Sequence, residues 1–401
     1  MAKRLRHLLL TTTEDPANVK SWSGIPYQLR AALERQVDRI TVFGPSRPSR
    51  APLDVVKRLW YGGHPPRYPL ALTAATLKQN ARELKQEIAR VDPDAILSIS
   101  SAPIAALHDA GRPVFLFSDA PYQAWHEAYE GTISRPVQLA AFVAQEASLV
   151  RRIEGSCFGS EWAVREAERL YADPLQDPDE LRERLHVTPL GANWIPQGTR
   201  ELLLQRVEER LDKPLALLYV GKDWERKGGP LAVEVTRLLN AAGHKTHLHV
   251  VGCRPSLPPE TVPYVTVHGL LYQDDAAQSA QLAKLFEGCH FLIVPTTAEC
   301  FGIVFAEAQA FALPPIARAV HALPTVVEDG VSGLLIDPSA PASAYVERIL
   351  ALRADPTAYR QMALRARERY ETLLNWDKTA EELIRLMSTA VTNFGSNSNS
   401  N

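Results

Sequence analysis

Short, almost uncharged apolar runs alternate with helix-period segments along most of this chain, and the alternation occurs twice. Residues 5–10, 40–43, 95–99 and 114–117 read as strands, with helical patterns over 27–37, 74–91 and 137–150 separating several of them. In the second half, runs at 215–220, 247–251, 264–267, 291–294 and 334–336 alternate with helices beginning near residues 231, 277, 302 and 342. Strand and helix in regular alternation is the signature of βαβ units, so each half is expected to build a parallel sheet covered by helices. The fold class is therefore α/β in two domains, which suits 401 residues, too many for one ordinary core. The boundary is expected near residue 195, because 173–179 is rich in Pro and Asp and 189–197 (PLGANWIPQ) is turn-rich without periodicity. This gives a first domain over 1–195, a second over 196–375, a C-terminal helix over 376–394 able to pack back on the first, and a disordered Ser/Asn tail over 395–401.

Composition removes several function classes. No stretch of 18 or more uncharged apolar residues occurs, so no membrane span is expected. The basic residues Lys3, Arg4 and Arg6 precede an apolar run too short for a secretory signal, and that run reads as a first strand. Cys157, Cys253, Cys289 and Cys300 lie far apart with no CxxC spacing, which points to a reducing, cytoplasmic setting. A net charge of −2 argues against nucleic acid as a partner. The charge is uneven, however: residues 1–60 carry eleven Lys or Arg against five Asp or Glu. With the mixed apolar and basic stretch VVKRLWY at 55–61, that end is a candidate for peripheral contact with an anionic bilayer; an ordinary surface helix is the other reading.

The chemistry concentrates in the second half. Directly after the run 291–294 comes TTAECFGIVFAE, residues 296–307, in which a strand feeds a turn and then a helix. The amino end of such a helix attracts an anion through its unsatisfied N–H groups and its dipole, so a phosphate fits at Phe301, Gly302 and Ile303. Gly302 lets backbone approach the anion with no Cβ between them. Glu299 and Glu307 would hold a phosphate poorly; they suit hydroxyl groups on either side of it, such as those of a sugar. The alternative is a helix whose first-turn Glu complements the dipole and whose Glu307 is solvated. Upstream, VGKDWERKGGP at 220–230 also follows an apolar run and opens a helix, and Lys222 and Lys227 suit neutralisation of a diphosphate. Alone, this loop is equally consistent with a solvated turn. It contains neither the GxxxxGK[ST] of a P-loop nor a GxGxxG fingerprint.

Taken together, the loop from Lys222 to Gly229, the Glu299/Glu307 pair at E-x7-E spacing and the segment 309–336, ending LPTVVEDGVSGLLI, resemble the donor domain of the family 4 retaining glycosyltransferases. The resemblance is strongest over about 215–340 and weaker at WSGIPY (22–27), SDA (118–120) and SEW (160–162). It implies the GT-B fold: two Rossmann-like domains whose parallel sheets face a central cleft, with the donor on the C-terminal domain and the acceptor mostly on the other. It further implies that Glu299 contacts donor-sugar hydroxyls, that the amides of Phe301, Gly302 and Ile303 meet the sugar and diphosphate, and that Glu307 takes the ribose. Lys222 and Lys227 would meet the diphosphate, which Gly24 would approach from the first domain. Asp119 stands where many members place a catalytic-site His or Asp; as an isolated residue it also reads as the cap of a turn before Pro121.

Two departures from the family pattern stand out. Lys222 replaces a frequent Arg and loses its bidentate fork, and His321-Ala322 replaces a frequent Gly-Gly. The implied chemistry is front-face transfer with retention, needing no protein nucleophile and no cofactor. No Asp-x-Asp follows a strand, so the lysines are expected to serve in place of a metal. Expected partners are a UDP- or GDP-linked sugar and an acceptor glycan, lipid-linked sugar or small molecule. A GT-B sugar-nucleotide epimerase and a non-catalytic nucleotide-sugar binder remain as alternatives, separable by product analysis.

Overall fold

The computed structural model describes residues 4–46, 72–129, 136–173 and 177–398. The stretch 55–61 lies outside the described residues. The chain divides into two units, one comprising Met1–Leu190 with Trp376–Asn401, the other Gly191–Asn375. From Gly191 on, the turn-rich segment is tied into the second unit: the Ala192 N–H donates to the Leu374 carbonyl (3.0 Å), and Gln273 Nε2 donates to the Asn193 carbonyl (3.0 Å). The division falls between Leu190 and Gly191, inside the turn-rich segment 189–197.

In the first unit the strands are β1 (His7–Thr12), β2 (Arg39–Phe43), β3 (Ala95–Ile99), β4 (Val114–Ser118), β5 (Gly155–Phe158) and β6 (Leu185–Val187). They form one sheet in the order β2-β1-β3-β4-β5-β6, and every pairing in it is parallel. Leu8, Leu9, Leu10, Ile96, Leu97, Leu116 and Phe117 are completely buried. That is why these strands read as continuous apolar runs: a parallel sheet covered on both faces has no polar side to alternate with. The helix Trp376–Ser398 also belongs to this unit, where Arg35 Nε donates to Asp377 Oδ1 (3.0 Å) and Thr379 Oγ1 to the Pro189 carbonyl (2.7 Å). This helix runs through Ser398, so residues 395–398 continue it instead of beginning the expected tail.

The second unit holds β7 (Leu215–Val220), β8 (Thr246–Val251), β9 (Val265–Gly269), β10 (Phe291–Ile293), β11 (Pro315–Arg318) and β12 (Leu334–Ile336), in the order β12-β11-β10-β7-β8-β9. These pairings too are all parallel. Read from β9, the order is that of a doubly wound dinucleotide-binding sheet, and its direction of travel reverses between β7 and β10. The carboxyl ends of the strands at such a reversal are where open α/β sheets bind ligands.

The helix Ile303–Ala310 that follows β10 is buried along almost its whole circumference. Its carboxyl end is held by Arg210, a fully buried side chain. Arg210 NH1 donates to the Ala312 carbonyl (2.7 Å) and NH2 to that of Phe311 (2.9 Å). The same guanidinium reaches the Glu287 and Phe286 carbonyls (2.8 and 3.2 Å) at the end of the helix Ala276–Gly288. One cation thus satisfies the orphan carbonyls of two helix ends and complements both dipoles.

Candidate functional site

The loop after β7 and the loop after β10 leave neighbouring strands at the reversal point, and they are packed backbone to backbone. Gly228 makes this possible. It has φ +74° and caps the helix Gly229–Ala241, and a Cβ built on it would overlap the Pro295 carbonyl. The next residue, Gly229, lies against the Trp224 ring, where a Cβ would overlap as well. Gly228 therefore serves close approach of the two loops, while Gly229 makes room for the Trp224 ring of its own loop.

That approach brings Lys227 onto Glu299. Lys227 Nζ stands 2.5 Å from Glu299 Oε1, with the two side chains 16% and 5% exposed. The ammonium is off the direction required of a hydrogen bond to that oxygen, so the contact is an ion pair and not a directed bond. A second cation, Arg226, lies 3.6 Å from the same oxygen. The sequence reading passed over Arg226, whose contacts span more than seventy residues and leave no local signal. Its NH1 donates to the Ala298 carbonyl (2.7 Å), and its own carbonyl accepts the Thr297 N–H (2.8 Å). Lys222 differs: it is exposed and makes no ion pair among the described residues.

Gly302 caps the helix Ile303–Ala310 with φ +84°, and Phe301 and Gly302 are buried beside it while Ile303 is half-buried. The first-turn amides of this helix lie where no intrahelical acceptor exists. Glu307, inside the helix, is 8% exposed. Burial pushes its carboxyl up to about 7, against the backbone N–H groups of Trp194 and Asn193 and the Lys227 charge, which favour the ionised form. Segment 189–197, read from the sequence only as a turn-rich boundary, thus supplies the hydrogen-bond partners of a site residue. The loop after β11 also touches this region, since the Ala322 N–H donates to the Glu299 carbonyl (3.3 Å). The neighbouring His321 has φ +46°, a conformation suited to the glycine that the family pattern often has there.

Gly24 and Asp119 belong to the first unit and are described within it. Gly24 is buried, has φ +83° and caps the helix Ile25–Glu34 after the loop that leaves β1. Asp119 follows β4; its Oδ1 accepts the Ala120 N–H (2.9 Å) and the Ser118 hydroxyl (3.4 Å), the geometry of a carboxylate bonded into its own turn. Behind that turn lies Glu146, a completely buried acid hidden in the sequence within an apolar helical pattern. It accepts hydrogen bonds from Ser101 Oγ (2.5 Å), Tyr171 Oη (2.6 Å) and the Tyr122 N–H (3.2 Å), and burial raises its carboxyl. Glu146 therefore fixes the loops after β3 and β4 to each other.

Among the described residues no three His, Cys, Asp or Glu side chains are grouped as a metal site requires, and no helix is long and apolar enough to cross a membrane.

Residues 214–355 match the family model described as Glycosyl transferases group 1. A D-inositol 3-phosphate glycosyltransferase of Segniliparus rotundus is 30% identical over 236 residues, covering 55% of this chain and 52% of that protein. Its counterpart in Thermomonospora curvata is 28% identical over 257 residues, 58% of this chain and 59% of that protein. The chain spans little more than half the length of the curated relatives it matches. Among solved structures, sucrose-phosphate synthase from Thermosynechococcus elongatus aligns over 95% of this chain and 98% of its own, with a TM-score of 0.66 at 20% identity. Anabaena HepE in complex with UDP aligns over 96% and 100%, with a TM-score of 0.60 at 15% identity. The architecture, two units each built on a six-stranded parallel sheet, is that of the GT-B fold, and residues 214–355 are similar to the group 1 glycosyltransferases.

Proposed function

We propose that this chain is a retaining glycosyltransferase of family 4, which moves a sugar from a UDP- or GDP-linked donor to an acceptor hydroxyl without a metal. The observation that carries the proposal is the Lys227–Glu299 pair at the reversal point of a doubly wound sheet, beside the amino end of the helix Ile303–Ala310. It joins a cation suited to a diphosphate, a carboxylate suited to sugar hydroxyls and a helix end suited to an anion. In this mechanism the bond between the anomeric carbon and the diphosphate breaks, and negative charge grows on the leaving group. Lys227, Lys222 and the amides of Phe301, Gly302 and Ile303 favour that charge more in the transition state than in the ground state, which lowers the barrier. Glu299 holds the sugar, Glu307 accepts the ribose hydroxyls, Gly24 is assigned to the diphosphate and Asp119 to the catalytic set. The acceptor hydroxyl attacks the face that the diphosphate leaves, and its proton passes to a departing phosphate oxygen.

Inositol 3-phosphate, the acceptor in the names of the relatives, is the first acceptor to try, followed by glycans and lipid-linked sugars. Thermal stabilisation by UDP, GDP and ADP and their sugars identifies the donor, and NMR of the product reports its anomeric configuration. Inversion of configuration, or loss of transfer in EDTA restored by a divalent ion, would overturn the mechanism. The basic excess of residues 1–60 supports a cytoplasmic enzyme resting on an anionic membrane surface; equal sedimentation with neutral and anionic vesicles removes that part.

A further inference from the structure

Lys227 has two claims on it. The proposed donor site needs its charge for a diphosphate, yet in the structure it is paired with a carboxylate that is 5% exposed. A nearly buried carboxylate that loses its only cation is costly, because it is left in a poor dielectric with no counter-charge. Arg226 is placed to prevent that loss. Its NH1 is 3.6 Å from Glu299 Oε1 while donating to the Ala298 carbonyl, and its Nε donates to Asp223 Oδ2 (3.3 Å). Its main chain is equally fixed: its N–H donates to Asp223 Oδ1 (3.2 Å), and its carbonyl accepts Thr297 N–H, Thr296 Oγ1 and Thr297 Oγ1. A planar fork with several fixed donors can hold a backbone carbonyl and face a carboxylate at once; an ammonium cannot reproduce that geometry.

We infer that Arg226 is a positioning residue, the second counter-ion of Glu299, which keeps that carboxylate in place while the charge of Lys227 is drawn to a nucleoside diphosphate. The inference rests on the donor-site reading above. It is tested by calorimetry with whichever of UDP and GDP binds the parent chain, on Arg226→Ala, Glu299→Gln and the double variant. Arg226→Ala is expected to bind the diphosphate about 3- to 10-fold more weakly, because Lys227 must then stay with Glu299. In the Glu299→Gln background the competition is gone, so the same change is expected to cost less than about 2-fold; this coupling is what a merely structural residue would not show. Arg226→Lys, which keeps the charge and drops the fork, is expected to lose less than the alanine variant and supplies a second cycle if that variant does not fold. Equal losses in both backgrounds, or no loss in either, overturn the inference alone. A parent chain that binds neither diphosphate sinks the donor-site reading and the inference with it.

Discussion

Lys227 and Glu299 are ion-paired across 2.5 Å although they leave different strands, β7 and β10, and lie seventy-two residues apart in sequence. Lys222, five residues before Lys227, is exposed and points to a different energetic role. A charge held near the loop junction acts at short range in a poor dielectric, whereas an exposed ammonium is screened by salt. Lys227→Ala is therefore expected to weaken nucleoside diphosphate binding on the order of 10-fold or more at any ionic strength. Lys222→Ala is expected to cost less than about 5-fold, and nearly nothing at 0.5 M salt. Titration at low and high salt checks both; a larger, salt-resistant loss at Lys222 would exchange the two roles.

Gly228 offers a test of the loop junction that needs no ligand. Both Gly228 (φ +74°) and Gly243 (φ +85°) sit in the left-handed region, but an added Cβ at Gly243 meets nothing within 4 Å while one at Gly228 overlaps the Pro295 carbonyl. Gly243→Ala is expected to cost about 1 kcal/mol, from backbone strain alone. Gly228→Ala adds a backbone clash that only separation of the two loops relieves, and should cost about 3 kcal/mol or more. Denaturant unfolding of the pair gives the difference, and similar values for the two would show that the loops are not locked together.

Arg210 is expected to matter more to stability than any surface ion pair. Four helix-end carbonyls depend on it, so Arg210→Leu leaves them buried without a donor, at about 3–5 kcal/mol. Arg210→Lys keeps the charge but cannot reach four acceptors, and should recover less than half of that. Arg360, bonded to Glu208 on the surface, is the comparison: Arg360→Ala should change stability by less than about 1 kcal/mol.

The strands 95–99, 215–220 and 334–336 and the helix 74–91 stand where the pattern of apolar residues puts them, because a sheet buried on both faces writes itself as an uninterrupted apolar run. β5, β6 and β11 escape that reading for equally physical reasons. β5 is GSCF, β6 is three residues directly after Arg184, and β11 opens on Pro315 and closes on Arg318; none is long or apolar enough to show a period. The same divide runs through the candidate site. Glu299, Glu307 and Lys227 are legible because each sits at a fixed offset from a strand end. The partners that fix them are not: Arg226 reaches Ala298 and Glu299, and Asn193 and Trp194 reach Glu307, only after the chain has folded.

Glu307 should make both stability and binding depend on pH. Its carboxyl is raised from 4.5 to about 7 chiefly by burial, so the folded state holds a proton that the unfolded chain has released. The stability this contributes is complete below pH 4.5 and is lost as pH rises through about 7. Glu307→Gln, which stays neutral, should gain on the parent across that window, by about 3 kcal/mol at most at pH 8. Diphosphate binding should move the other way, because only the ionised carboxylate accepts two ribose hydroxyls. Parent affinity is expected to rise through pH 7 relative to Glu307→Gln, and parallel profiles for the two would remove Glu307 from the ribose role.

The two glutamates should also separate in kinetics. Glu307 is assigned to the ribose, which hardly changes during transfer, so its loss removes binding common to ground and transition states, and affinity suffers most. Glu299 is assigned to the sugar that becomes cationic, where a carboxylate favours the developing charge over the neutral ground state. Glu307→Gln should therefore weaken both the free nucleoside diphosphate and the sugar nucleotide. Glu299→Gln should bind the diphosphate within about 3-fold of the parent while transfer falls on the order of 10²-fold, the loss expected when about 3 kcal/mol of transition-state stabilisation is removed. Calorimetry with the diphosphate and a diphosphate-release assay supply the two measurements, after circular dichroism has shown that both variants fold. If both transfer sugar at the parent rate, the pair is an ordinary helix end and the proposed glycosyl transfer falls with it.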